Sequence, residues 1–363
     1  MRPLAIVTTR LPPHMCGIGT YSWLSAKHWP VESTHVEFVV IDGVEASSAL
    51  PNVGKITEFA GNAGRLASIL DHLGDHDVFL HYAGRAYHRF GCPRWMPRVF
   101  SAWKSKFPKS RLMIFFHELP ADMPFTSSHF LLQRINRGIV RKLAGLADFV
   151  VTNTEHHLKK LRELSGREDV HLIPVGSNIE GTVPELAQRC ANEFIVFGLP
   201  FGRLQTLQWF ASDIRRWHET GRLKTVHLIG PEDEKFTPQA DALIQALPDP
   251  RVVVRQGVLQ DADVAHLLGR ARFALTNVTR ETWSKSTGFM AAAASGCAVV
   301  RKLETAEPVP LSYSVAASEV DKISDSELEH RTTSLRYWYT QNADWPVTAE
   351  RLAGLLRVGV HGE

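Results

Sequence analysis

The constraint that narrows the fold most is a repeated alternation of short apolar runs with longer amphipathic ones. Apolar runs fall at 4–8, 36–41, 78–82, 111–116, 149–152 and 170–173, and again at 194–197, 225–229, 252–254, 273–276 and 298–300. Helical patterns separate them at 19–29, 66–73, 94–106, 130–143 and 155–164, then at 204–219, 239–247, 261–268 and 288–295. Unbroken apolar strands alternating with helices predict parallel sheets covered on both faces. The pattern runs twice, with a polar segment at 176–190 carrying Gly181 and Pro184 between the two halves. The expected fold is therefore α/β, with two doubly wound domains of similar size at 1–180 and 190–325 facing a cleft. A tail at 326–363 follows, with helices at 326–340 and 347–356. In such sheets, ligands bind beyond the carboxyl ends of the strands.

The chain has 363 residues, a formal net charge of +3 and 44% hydrophobic residues, which describes a globular protein and excludes a disordered one. No apolar run reaches the ~18 residues a membrane span needs. The first run is too short for a signal peptide and reads as a strand. Cys16, Cys92, Cys190 and Cys297 lie far apart without a C-x-x-C pair. Free thiols in a cytoplasmic setting are expected, with neither zinc nor another metal bound.

Chemistry is expected where strands end and helices begin, because a helix N-terminus offers free N–H groups and the positive end of its dipole. The loop after the first run ends in Cys16-Gly17-Ile18-Gly19. Gly17 and Gly19 would let the backbone approach a ligand, but the spacing is neither G-x-G-x-x-G nor a P-loop. A plain strand-to-helix turn reads equally well. His117 follows the fourth run, where it can hydrogen-bond a sugar hydroxyl or phosphate or exchange a proton. A satisfied structural histidine is the alternative, and Glu118 can serve in its place. In the second half, Gly198 ends a strand and Arg203 stands near the next helix start, suited to a diphosphate or to plain solvation.

The segment from Thr276 to Val300 carries the densest set. Lys285, Ser286 and Thr287 supply a cation and two hydroxyls at another helix start, and Glu281 in the same loop can accept from a ribose or sugar hydroxyl. Ser284 or Ser286 can also act as the N-cap, a role compatible with phosphate binding. The helix body is small and apolar and ends at Gly296.

Charge is unevenly spread. Between Asp77 and Asp148 lie twelve Lys and Arg against only Glu118 and Asp122, so this segment carries about +10 and the remainder about −7. Within 85–111, Arg94, Arg98 and Lys104 with Trp95 and Trp103 suit a helix lying on an anionic membrane surface at the inner face of the membrane. A solvated helix with its aromatics turned to the core is the alternative. No nucleic-acid-binding module is visible.

Taken together these features resemble the GT-B glycosyltransferases, especially the large retaining family 4 (glycosyl transferases group 1), over nearly the whole chain. Gly17-Ile18-Gly19 is similar to the family's glycine loop and His117 to its histidine after the fourth strand. The segment 171–178 is similar to its Ile-Pro, Asn-Gly-Val region. Gly198 with Arg203 is similar to its diphosphate site, where Leu199 replaces the usual Arg. Residues 254–261 and 295–300 resemble two further family segments. Counting back from Gly296, Ala291 stands where the family has its ribose glutamate. Trp283 stands at the first glutamate, two residues after Glu281.

The resemblance implies two Rossmann-like domains with the C-terminal helices crossing back to the first. It implies a metal-independent, retaining hexosyltransferase of glycan biosynthesis that uses a UDP- or GDP-linked sugar. His117 and Glu281 would be catalytic, and Gly17, Gly19, Gly198, Arg203, Lys285, Ser286 and Thr287 would bind the nucleotide sugar. The acceptor would be a glycan, lipid-linked or small molecule. A non-catalytic binding subunit of a transferase complex, or an epimerase or phosphorylase of the same fold, are the other readings.

Overall fold

The computed structural model describes residues 2–30, 35–43, 50–122, 130–181, 183–302 and 307–357. It forms two compact units. The first is Met1–Pro174 with Trp345–Glu363, and the second is Val175–Asp344. The helix Asp325–Asn342 therefore stays with the second unit, while Trp345–Arg357 joins the first.

The first unit holds β1 (Leu4–Thr8), β2 (Val36–Val40), β3 (Val53–Glu58), β4 (Asp77–Tyr82), β5 (Leu112–Phe116), β6 (Phe149–Thr152) and β7 (Val170–Leu172). They pair in the order β3-β2-β1-β4-β5-β6-β7, all parallel. Because strand side chains alternate faces, Ala5, Val7, Leu80, Tyr82, Ile114 and Phe116 meet one set of helices: Ala63–Leu73, Met96–Lys106, Phe130–Leu146 and Glu155–Ser165. The intervening residues Phe79, His81 and Phe115 face the other way. Tyr21 and Trp29, from or just beyond the helix Gly17–Lys27, cover them, and Trp345 packs on Tyr21. Each large apolar side chain so buried contributes about 1.5–3 kcal/mol.

The second unit repeats the plan with β8 (Cys190–Phe197), β9 (Thr225–Ile229), β10 (Val253–Gly257), β11 (Ala271–Leu275), β12 (Ala298–Arg301) and β13 (Val315–Ala316). Their order is β10-β9-β8-β11-β12-β13, again parallel. Phe194, Val196, Leu228 and Phe273 pack under the helix Pro200–Glu219 through Leu207, Phe210 and Trp217. Ile195 and Ile229 on the opposite face meet Val264, Leu268 and Ala291.

Two strands lie outside the apolar pattern of the sequence. β3 is an edge strand, partly or fully exposed along its length, so it carries no apolar run. β13 spans two residues, too few for a period to register. Among the described residues no helix is long and apolar enough to cross a membrane.

Candidate functional site

In both sheets the strand order reverses where two neighbouring strands send their connections in opposite directions, β1/β4 in the first unit and β8/β11 in the second. Such a reversal opens a crevice at the carboxyl ends of the strands. The residues singled out from the sequence fall at these two edges.

In the second unit, β8 runs into Gly198, whose φ of 150° suits glycine alone. Leu199 then occupies the N-cap position of the helix Pro200–Glu219 without a side-chain capping bond, with Pro200 in the first turn. The turns after β8 and β9 touch: a Cβ on Gly230 would lie 2.2 Å from the Gly198 carbonyl oxygen. Arg203 packs into this junction and is 3% exposed, so it is not a solvated surface arginine. One of its Nη2–H groups donates to the Pro231 carbonyl, and Nη1 lies 3.8 Å from Glu232 Oε1. Its Nε and Nη1 are buried with no hydrogen-bond acceptor. Burial lowers the guanidinium pKa, opposed by the Glu232 charge. Buried donors left open in this way cost about 1–3 kcal/mol each, more for a charged group.

β11 leads into a loop stitched by Thr279 and Thr282, with Thr279 N–H donating to Thr282 Oγ1 at 2.9 Å. Glu281 is exposed there, and its backbone N–H donates to Thr279 Oγ1 at 3.3 Å. Ser286 is the N-cap of the helix Thr287–Ala294 and accepts from Phe289 N–H at 3.2 Å. A Cβ on Gly288 would lie 2.7 Å from the Phe197 carbonyl oxygen, so this helix start abuts the end of β8. The fold thus brings Gly198, Arg203, Ser286 and Thr287 to one edge, with Lys285 exposed beside them. Asn277 ties the loop to the neighbouring helix: its Nδ2 donates to Gln205 Oε1 at 2.8 Å, and its Oδ1 accepts from Thr206 Oγ1 at 3.3 Å.

Ala291 is fully buried among Ile195, Ile229 and Leu268. The position that counting from Gly296 aligns with a ribose glutamate therefore points into apolar core, and no ligand contact comes from it.

In the first unit the two loop glycines do different things. Nothing lies within 4 Å of a Cβ built on Gly17, which opens the helix Gly17–Lys27. A Cβ on Gly19 would lie 1.5 Å from the Arg10 carbonyl oxygen, so Gly19 admits the close approach of the chain's own loop. The Cys16 side chain does not cap the helix. It contacts Thr9 Oγ1 at 2.9 Å.

His117 follows β5 and is buried, with Nε2 2.9 Å from Nδ1 of His81. Desolvation, reinforced by His157, pushes its pKa down to about 3. Desolvation also holds His81 well below the usual histidine value, with His117 adding to it. Both rings are neutral at pH 7, and His117 has only Nδ1 left for a ligand. It can offer a hydrogen bond, and a pKa held this low disfavours proton exchange near neutrality. Glu118 is exposed.

Of the basic segment, Trp103 is 2% exposed and Trp95 packs edge-on against Phe59. Lys104 is bound to Asp148 and to the Ser110 carbonyl. The face with both tryptophans and Lys104 therefore belongs to the core side of its helix.

The sequence reading missed Gly230, Pro231, Glu232 and Asn277. The Gly230-Pro231 pair after an apolar run was the available signal for the first two. Asn277 carries no local signature. Among the described residues no group of three His, Cys, Asp or Glu is arranged to hold a metal ion.

No family model matches the chain, and no curated protein matches it. Solved structures do resemble it. A glycosyltransferase from Rickettsia africae superposes with a TM-score of 0.67 at 12% identity, covering 100% of both chains. An α,α-trehalose 6-phosphate synthase from Burkholderia multivorans gives 0.65 at 14% identity, covering 99% of this chain and 97% of that one. An α-glucosyltransferase in complex with UDP gives 0.61 at 11% identity, covering 98% and 100%. The chain has the GT-B fold.

Proposed function

We propose that this chain is a glycosyltransferase that moves a sugar from a nucleoside diphosphate sugar to an acceptor. The observation that carries the reading is Arg203: a buried guanidinium with two open donors, beside a bare glycine turn and a serine-capped helix start. A diphosphate supplies the acceptors these groups lack, and the helix dipole favours its charge. In this reading Arg203, Lys285, the hydroxyls of Ser286 and Thr287 and the helix dipole stabilise the leaving diphosphate, in the place a metal ion would otherwise take. Glu281 accepts from a ribose or sugar hydroxyl. His117 offers a neutral imidazole to a sugar hydroxyl, and the first unit binds the acceptor, a glycan, a lipid-linked or a small molecule. Retention of configuration belongs to the same proposal and rests on the resemblance to family 4.

Calorimetry with UDP, GDP and their sugars tests the donor site. UDP comes first, because a solved structure of the same fold carries it. Saturable binding that Arg203→Ala weakens supports the proposal. Binding that the variant leaves unchanged overturns the assignment. A second reading is a non-catalytic GT-B-like binding subunit of a transferase complex, favoured by the apolar surroundings of Ala291. It predicts that none of these nucleotides binds.

A further inference from the structure

The twelve basic residues between Asp77 and Asp148 are sorted by the fold. Lys104 and Lys106 are paired with Asp148 and Asp71, and Arg137 with Asp122. Arg111 and Arg141 donate to the carbonyls of Leu356 and Leu164. Arg85, Arg89 and Lys109 are exposed without an ion pair among the described residues, but take no part in the groove lined by Arg94, Arg98, Arg134 and Lys142. The latter four are exposed, and among the described residues none of their side chains has a hydrogen bond or an ion pair. They line one groove of about 790 Å³ between the helices Met96–Lys106 and Phe130–Leu146, with no carboxylate in its lining.

The floor of this groove is apolar. Ile135 and Ile139 form part of it, and Gly138 and Gly145 keep it open, since a Cβ on either would meet nothing within 4 Å. Leu131 stands on the same helical stripe, three and four residues before Arg134 and Ile135, and is 66% exposed. In a parallel sheet the helix starts lie at the carboxyl ends of the strands. Arg94 and Arg134, at or near the two helix starts, therefore lie toward the sheet edge at which β5 ends and His117 follows.

Four unpaired cations over an apolar floor match one chemistry: a phosphate head with hydrocarbon attached. We propose that this groove docks the first unit on an anionic phospholipid bilayer, seating a lipid phosphate among Arg94, Arg98, Arg134 and Lys142. The surface differs from the one expected from the sequence, because it uses the outer faces of two helices and neither Trp95 nor Trp103. The proposal does not depend on glycosyl transfer.

The test is co-sedimentation of the intact chain with phosphatidylcholine vesicles containing phosphatidylglycerol, and with phosphatidylcholine alone. Binding is expected only to the anionic vesicles and falls as salt is raised. Each basic residue near an anionic surface contributes about fivefold in affinity. Neutralising two in Arg94→Gln/Arg134→Gln is expected to weaken binding on the order of 25-fold, and reversing two in Arg98→Glu/Lys142→Glu by more. Arg215→Glu/Lys224→Glu, the same charge change on exposed residues of the second unit, is expected to leave it unchanged. Thermal melts establish that each variant is folded, and the neutralising pair decides if the reversing pair does not fold. The proposal is overturned if the wild-type chain ignores anionic vesicles at about 0.1 M salt. It is equally overturned if groove and control variants bind alike, or if the wild-type chain binds duplex DNA but not vesicles. Calorimetry with UDP, run on the same variants, reports separately on the donor site.

Discussion

The imidazoles of His81 and His117 share one hydrogen bond, Nδ1 to Nε2 at 2.9 Å, and both rings pack on Tyr21 and Phe115. The contact couples their tautomers, since one ring must donate and the other accept. It also sets how the first unit responds to acid. Folding lowers both pKa values, His117 to about 3, chiefly by desolvation. The unfolded chain, with ordinary histidines near 6.5, therefore takes up protons first as pH falls. The stability associated with the neutral pair is fully present above about pH 6.5 and is lost as pH drops from there toward the folded values. Each histidine adds a slope of about 1.4 kcal/mol per pH unit in that window. Urea unfolding at pH 7.5, 6 and 5 is expected to show a steep fall in the wild type. His81→Gln is expected to have a slope smaller by about one proton; equal slopes would remove the pair from the account.

A neutral His117 makes a second prediction, for the proposed transfer reaction. A histidine acting as acid or base near its ordinary pKa bends the rate profile between pH 6 and 7. Here kcat/KM is expected to run through that range without an inflection from His117. Loss of a hydrogen bond costs about 1–3 kcal/mol, so His117→Ala is expected to lower the rate by roughly 5- to 150-fold. His117→Gln, which keeps a donor, is expected to recover part of it. An inflection near 6.5 that His117→Gln abolishes would show that the ring does exchange protons.

The two glycines of the first loop make a paired test of close approach against ligand access. A Cβ on Gly19 would collide with the Arg10 carbonyl at 1.5 Å, whereas one on Gly17 meets nothing. Gly19→Ala forces the loop and helix apart and is expected to cost 3 kcal/mol or more, on the order of other severe packing substitutions. Gly17→Ala is expected to stay within about 1 kcal/mol of wild type, because helix propensity favours alanine. Denaturant midpoints separate these outcomes. Similar effects at both positions would contradict the geometry.

The sheets were legible in the sequence because most of their strands are buried on both faces and so read as apolar runs. β6 and β9 fall at 149–152 and 225–229, the bounds the runs predict. β3 was illegible for the opposite reason: an edge strand facing solvent needs no apolar run. The helix starts that carry Arg203 and Ser286 were legible from strand–glycine–helix punctuation. What a side chain touches was not. Nothing local distinguishes Gly17 from Gly19, or a solvated arginine from one buried against Pro231. The clearest case is Ala291, which counting sets at the place of the family's ribose glutamate and three-dimensional packing sets in the core. Counting fixes a position along the helix, whereas the face presented to Ile195 and Ile229 depends on how that helix is rotated.

Ser286 separates capping from anion binding. Its Oγ accepts from Phe289 N–H at 3.2 Å, the ordinary N-cap bond, so Ser286→Ala is expected to cost about 1 kcal/mol of stability whatever binds there. Aspartate caps helices as well as serine and favours the positive end of the dipole. Ser286→Asp is therefore expected to melt near the wild-type temperature. If the edge beside Gly198 and Arg203 receives a diphosphate, the same aspartate puts a negative charge against a negative ligand. UDP affinity is then expected to fall by more than tenfold in Ser286→Asp, more than in Ser286→Ala, even though the aspartate variant is the more stable protein. Capping alone predicts the reverse order, with any loss of affinity following the loss of stability. Measuring melting temperature and UDP affinity on the two variants side by side decides between them.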